Sequence, residues 1–174
     1  MRWLPFQLNP DLPESGITRE EYVARKFGAR GKGVNERVIM AGRQVGIPFD
    51  YEKMKVQPNT LNAHRLMAFA ERSGKQDKLA EELFRAHFIE GANLADRETL
   101  AGIAARAGLD RKAAAGYLAG DEDRAMVLQA DVEARTKGIN GVPFFILNRK
   151  VGISGAQDAD ALLEAMEQAL QEQG

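Results

Sequence analysis

The chain has 174 residues, 44% of them apolar and 28% charged, with a net charge of −1. That balance fits a soluble globular protein and gives no electrostatic case for nucleic acid or an anionic membrane as partner. Cysteine is absent and His64 and His87 stand far apart, which excludes disulfides, thiolate metal sites and a cysteine nucleophile within the chain and leaves no close-spaced metal-ligand motif.

Leu4, Phe6 and Leu8 alternate with Pro5 and Gln7, the period of a short strand, and Pro5 confines it to a sheet edge. Asn9 to Pro13 then forms a loop. From Thr18 to about Lys137 nearly everything reads as helix. Thr18-Arg19-Glu20-Glu21 is a capping box, and that helix stops near Phe27-Gly28. A second helix runs from about Val34 to Val45, closed by Gly46 and Pro48. Asn59-Thr60 caps a third, ending near Ser73-Gly74. Residues 77–90 carry Leu79, Leu83, Phe84, His87 and Phe88 at helical spacing. Asp96 and Asp110 cap the next two helices, and a further one spans about Asp121 to Lys137.

The period then changes. Pro143 to Leu147 is a strand opened by proline, Asn148-Arg149 a tight turn, and Lys150 to Ile153 a second strand. Asp158 to Gln171 is an amphipathic helix with Leu162, Leu163, Met166, Ala169 and Leu170 on its apolar stripe. No apolar run approaches the ~20 residues of a membrane span. Met1-Arg2-Trp3-Leu4-Pro5 breaks on proline before a signal-peptide core can form, and a cytoplasmic location is expected.

Several motifs fail on inspection. Gly28 to Gly33 resembles a phosphate cradle, but Lys32 is followed by Gly33 and no strand precedes it. The carboxylates of Asp96 and Glu98 suit a helix N-terminus. Ser154 lacks the strand-to-helix turn of a nucleophile elbow.

A proline-led strand, a hairpin and a C-terminal helix make up the second half of a thioredoxin fold. "RWLPFQLNP" (2–10), "NTLNAHRL" (59–66), "LFRAHFIEG" (83–91), "LADRETLAGIAARAGLD" (94–110), "GINGVPFFILN" (138–148) and "GISGAQ" (152–157) follow in the order found in one family. The chain resembles the DsbA-like thioredoxin-domain proteins. Its closest likeness is to the bacterial FrnE-type branch, predicted thiol–disulfide oxidoreductases related to 2-hydroxychromene-2-carboxylate isomerases and kappa-class glutathione transferases.

The resemblance implies an α/β thioredoxin-like fold, incomplete at its N-terminus. Residues 1–12 and 138–174 would form it, with residues 13–137 as a large all-helical insertion. In the family a first strand leads to a helix bearing Cys-x-x-Cys, or serine in the glutathione-using relatives. Here the expected chain opens at the second strand, so no catalytic residue and no metal ligand is assigned. By resemblance, the Val142–Pro143 bond is cis and these two residues face a protein or peptide thiol/disulfide substrate. His64, Arg65 and Gln157 are further candidate binding residues. Three function classes follow: a DsbA/FrnE-like oxidoreductase inactive without its redox motif, a glutathione-dependent isomerase or transferase, and a non-catalytic peptide-binding or chaperone-like module. No cofactor is expected, apart from glutathione under the second. A missing central strand would leave two sheet edges open, to be met by homodimer formation or by a repositioned N-terminal strand.

Overall fold

The computed structural model describes residues 1–28, 33 and 35–171. The element order is β1 (Ile17–Thr18), α1 (Arg19–Phe27), α2 (Glu36–Gln44), β2 (Val56–Gln57), α3 (Leu61–Glu71), α4 (Gln76–Phe88), α5 (Arg97–Arg106), α6 (Arg111–Ala119), α7 (Arg124–Thr136), β3 (Phe144–Leu147), β4 (Val151–Ser154) and α8 (Ala159–Gln171). Most of the 28–33 loop, and Val34, lie outside the described residues.

Caps read from the sequence set several helix starts. The Thr18 hydroxyl accepts from the Glu21 N–H, Asp96 from Thr99 and Asp110 from Ala113, each satisfying one of the donors a first turn leaves free. Asn59 does this work for α3, accepting from the Leu61 N–H at 2.9 Å, while the Thr60 side chain makes no cap bond.

Helices α3 to α6 form a helical body around Leu66, Leu79, Leu100, Ile103 and Leu118, all buried. Burying such a side chain stabilises by roughly 1.5–3 kcal/mol. Asp131 and Val127 turn the inner face of α7 toward buried positions. No helix among the described residues is long and apolar enough to cross a membrane.

The helical reading of 18–137 needs one correction. Ile17–Thr18 pairs antiparallel with Val56–Gln57, tying the start of α1 to the approach to α3. Two residues per strand are too few to carry a period.

The strand expected at residues 2–8 also needs correction. That segment joins no ladder among the described residues. Helix side chains take the place of a neighbouring strand. Gln76 accepts from the Trp3 N–H through its carbonyl oxygen and donates to the Trp3 carbonyl through its amide. Asp131 accepts from the Gln7 N–H at 2.7 Å, and Arg135 donates to the Gln7 carbonyl. Phe6 is buried beneath the Arg135 guanidinium, 4.6 Å from the ring centre, whereas Leu4 and Leu8 stay 59% and 58% exposed. The repositioned N-terminal strand offered as one outcome is therefore not what fills the edge of β3.

At the other end, β3 and β4 form an antiparallel hairpin with Phe144 opposite Ser154 and Leu147 opposite Val151. The Asn148 side chain donates to the Ala169 carbonyl at 2.8 Å, which fixes the end of α8 beside the hairpin turn. On α8 the expected apolar stripe is only partly covered. Ala169 is buried, but Leu163, Met166 and Leu170 are exposed.

Candidate functional site

Pro143 precedes the first ladder residue of β3, where a missing N–H costs nothing. The Val142–Pro143 peptide is cis. The Pro143 carbonyl accepts from the Gly155 N–H at 2.9 Å, carrying the hairpin one step past its last strand pair. Gly152 keeps the partner strand clear beneath an aromatic ring: a Cβ there would come within 2.9 Å of Phe144 Cζ. Val142 itself is half exposed. Its N–H and carbonyl take no partner among the described residues.

Gln157 lies close by in the chain. Its side-chain amide donates to the Ser154 carbonyl at 2.9 Å, closing the turn after β4. The structure thus brings Val142, Pro143 and the 154–157 turn to one end of the hairpin. It leaves His64 and Arg65 on α3, with no hydrogen bond from either to the hairpin among the described residues.

Arg65 is fully buried and its guanidinium is heavily committed. Nε donates to the Glu122 carbonyl at 2.8 Å, Nη2 to the carbonyls of Gly120 at 2.6 Å and Tyr117 at 3.1 Å, and Nη1 to Asn62 Oδ1. Three of these acceptors sit at or just beyond the C-terminal end of α6, the negative end of its dipole. Arg65 joins α3 to the α6–α7 junction, and its hydrogen bonds are spent there. The Tyr117 ring lies 5.2 Å beneath it, and the Tyr117 hydroxyl donates to Asp123. Burial and this carboxylate push the Tyr117 pKa well up.

His64 is half-buried beside residue 6. Burial lowers its pKa to about 4, against a hydrogen bond with the Phe6 backbone and the charge of Asp131. It is neutral at pH 7, so it offers no cation to an anionic ligand.

Sequence reasoning missed Gln7, Asp131 and Arg135. Arg135 pairs with the buried Asp131 carboxylate at 2.9 Å, and both grip the Gln7 backbone. The only advance signal was an Asp–Arg pair spaced one helical turn apart on α7. No group of three or more metal-ligating side chains occurs among the described residues.

What the hairpin end can do chemically is limited and clear. It offers the main-chain N–H and carbonyl of Val142, a half-exposed residue, beside the cis-proline. It carries no thiol, since the chain has no cysteine.

No curated protein matches the chain. The crystal structure of a probable DsbA oxidoreductase from Streptomyces coelicolor is similar to it, with a TM-score of 0.86 and 26% sequence identity over 96% of this chain and 74% of that one. A family model described as the DSBA-like thioredoxin domain matches residues 1–167. That match spans nearly the whole chain, with the proline-led hairpin, most of the C-terminal helix and the helical body inside it: the chain belongs to the DSBA-like thioredoxin domains.

Proposed function

We propose that this protein is a FrnE-type member of the DsbA-like oxidoreductases that presents the peptide-facing wall of the fold and performs no thiol chemistry by itself. The observation carrying this reading is half-exposed Val142, whose main-chain N–H and carbonyl take no partner among the described residues, beside Pro143 in a chain without cysteine. An extended peptide adds to such an edge by main-chain hydrogen bonds. Thiol–disulfide exchange needs a thiolate to attack a disulfide sulfur and a second sulfur to resolve the mixed disulfide. Neither sulfur is present. Gln157 donates one amide N–H back to the Ser154 carbonyl, so its side chain is partly engaged within the turn, which favours this reading over the glutathione-dependent one.

The test is insulin reduction and reoxidation of a reduced, unfolded protein by homogeneous material of this sequence. Rates equal to buffer are expected for both. Turnover in either assay would refute the reading.

A further inference from the structure

Arg19 opens α1, and among the described residues its guanidinium meets only neutral partners. Nη1 donates to Gln57 Oε1 at 2.6 Å and Nη2 to Asn35 Oδ1 at 3.4 Å. Its central carbon stands 5.3 Å from the Tyr22 ring centre and 5.8 Å from that of Tyr51. The residue is half-buried. Among the described residues, no carboxylate comes within ion-pair distance of it.

A charge drawn out of water without a counter-ion is costly, and ring faces and amide oxygens offset only part of that cost. Its field reaches the neighbours. It opposes the upward push that burial gives Tyr51 and adds to the downward push that burial gives His87. A guanidinium has five N–H donors, so three are left without a partner among the described residues. Beyond Tyr22, the Lys26 ammonium donates to the Tyr22 hydroxyl at 2.8 Å and adds a second positive charge. On the other side, Tyr51 meets Phe88 at 6.1 Å, and Phe88 meets Phe84, which is 51% exposed.

We propose that Arg19, held between Tyr22 and Tyr51, is a binding site for a carboxylate attached to an aromatic or apolar group. The guanidinium takes the carboxylate through its spare donors, in the charge-assisted geometry that suits this pair. The rings of Tyr51 and, next to it, Phe88 take the apolar part. Two sources share this chemistry: the free carboxyl end of a peptide and an acidic side chain next to an aromatic one. The site is built from α1, Asn35 just before α2, the turn carrying Tyr51, β2 and α4, all apart from the Pro143 hairpin, and does not depend on the hairpin's role.

Titration of the 15N-labelled protein distinguishes the outcomes. N-acetylphenylalanine is the chain-end probe, an N-acetyl-Phe-Asp-amide dipeptide the side-chain probe, and N-acetylphenylalaninamide and inorganic phosphate are the controls. Saturable shifts of the Arg19 Nε–H and the Tyr51 amide are expected with one or both acids, with the amide at least about tenfold weaker. The stronger acid identifies the source. Arg19→Gln should lose at least tenfold in affinity, Arg19→Lys should retain part of it, and Arg2→Gln should bind as the parent does. If Arg19→Gln does not fold, the Arg19→Lys variant and the acid–amide contrast decide. No saturable shift with either acid, equal binding of acid and amide, or equal binding of phosphate overturns the proposal.

Discussion

His64 sits half-buried between the N-terminal segment and α7, with a folded-state pKa of about 4 against about 6.5 in an unfolded chain. The sign follows from linkage. Between those values the unfolded chain binds the proton and the folded one does not, so stability falls as pH drops from about 6.5 toward 4. Below the folded value the loss is complete, on the order of 3 kcal/mol at most. His64→Gln should flatten that slope, although His87, also lowered by burial, keeps part of it in both proteins. Urea midpoints measured from pH 4 to 7.5 check this, and parallel slopes for parent and variant would remove His64 from the account. The same residue shows what a sequence hides. His64 and Arg65 stood out as polar neighbours after a capped helix start. What each of them holds depends on Phe6, Asp131 and the carbonyls at the end of α6, all brought in from distant parts of the chain.

At the level of elements, the β3–β4 hairpin has a weak point that can be repaired. Asn148 and Arg149 both adopt positive φ, 50° and 60°, and the Leu147 carbonyl accepts from the Lys150 N–H at 3.0 Å. This is the two-residue turn whose twist matches a hairpin, and its second position favours glycine. Arg149→Gly should stabilise by a few tenths to about 1 kcal/mol, since arginine bears a steric cost there that glycine escapes. A chemical-denaturation midpoint unchanged or lowered would show that the turn is not limiting. Asn148-Arg149 was legible as a turn because asparagine tolerates that backbone. The caps of α1, α5 and α6 were legible because a capping side chain lies beside the donor it satisfies. The β1–β2 pair and the missing ladder at residues 2–8 were not. In the first the strands are too short for a pattern, and in the second an alternating sequence describes an extended chain without saying what pairs with it.

For the molecule as a whole, exposed apolar side chains gather on the hairpin and α8: Val142, Ile146, Leu163, Met166 and Leu170. Beyond β4, β3 has no second ladder neighbour among the described residues. An open edge beside apolar surface recruits another strand, and a second copy of the chain supplies one of matching length and symmetry. Sedimentation velocity should therefore show species heavier than the single chain that grow with concentration, and Ile146→Lys should shift them toward monomer. A monomer at every concentration would defeat this expectation. The family was legible from six short segments in order. The Arg19 cluster was not, because its tyrosines and amides come from four separate stretches. The grip on the N-terminal segment has a consequence in time. Gln7 is bound by a side chain 124 positions further along. At ordinary translation speeds residues 3–8 are made roughly ten seconds before α7 exists. During that interval Phe6 has no Arg135 to lie beneath and Asp131 is not there to hold Gln7. Phe6 and Gln7 must stay unsettled, and open to chaperones or proteases, until α7 has been synthesised.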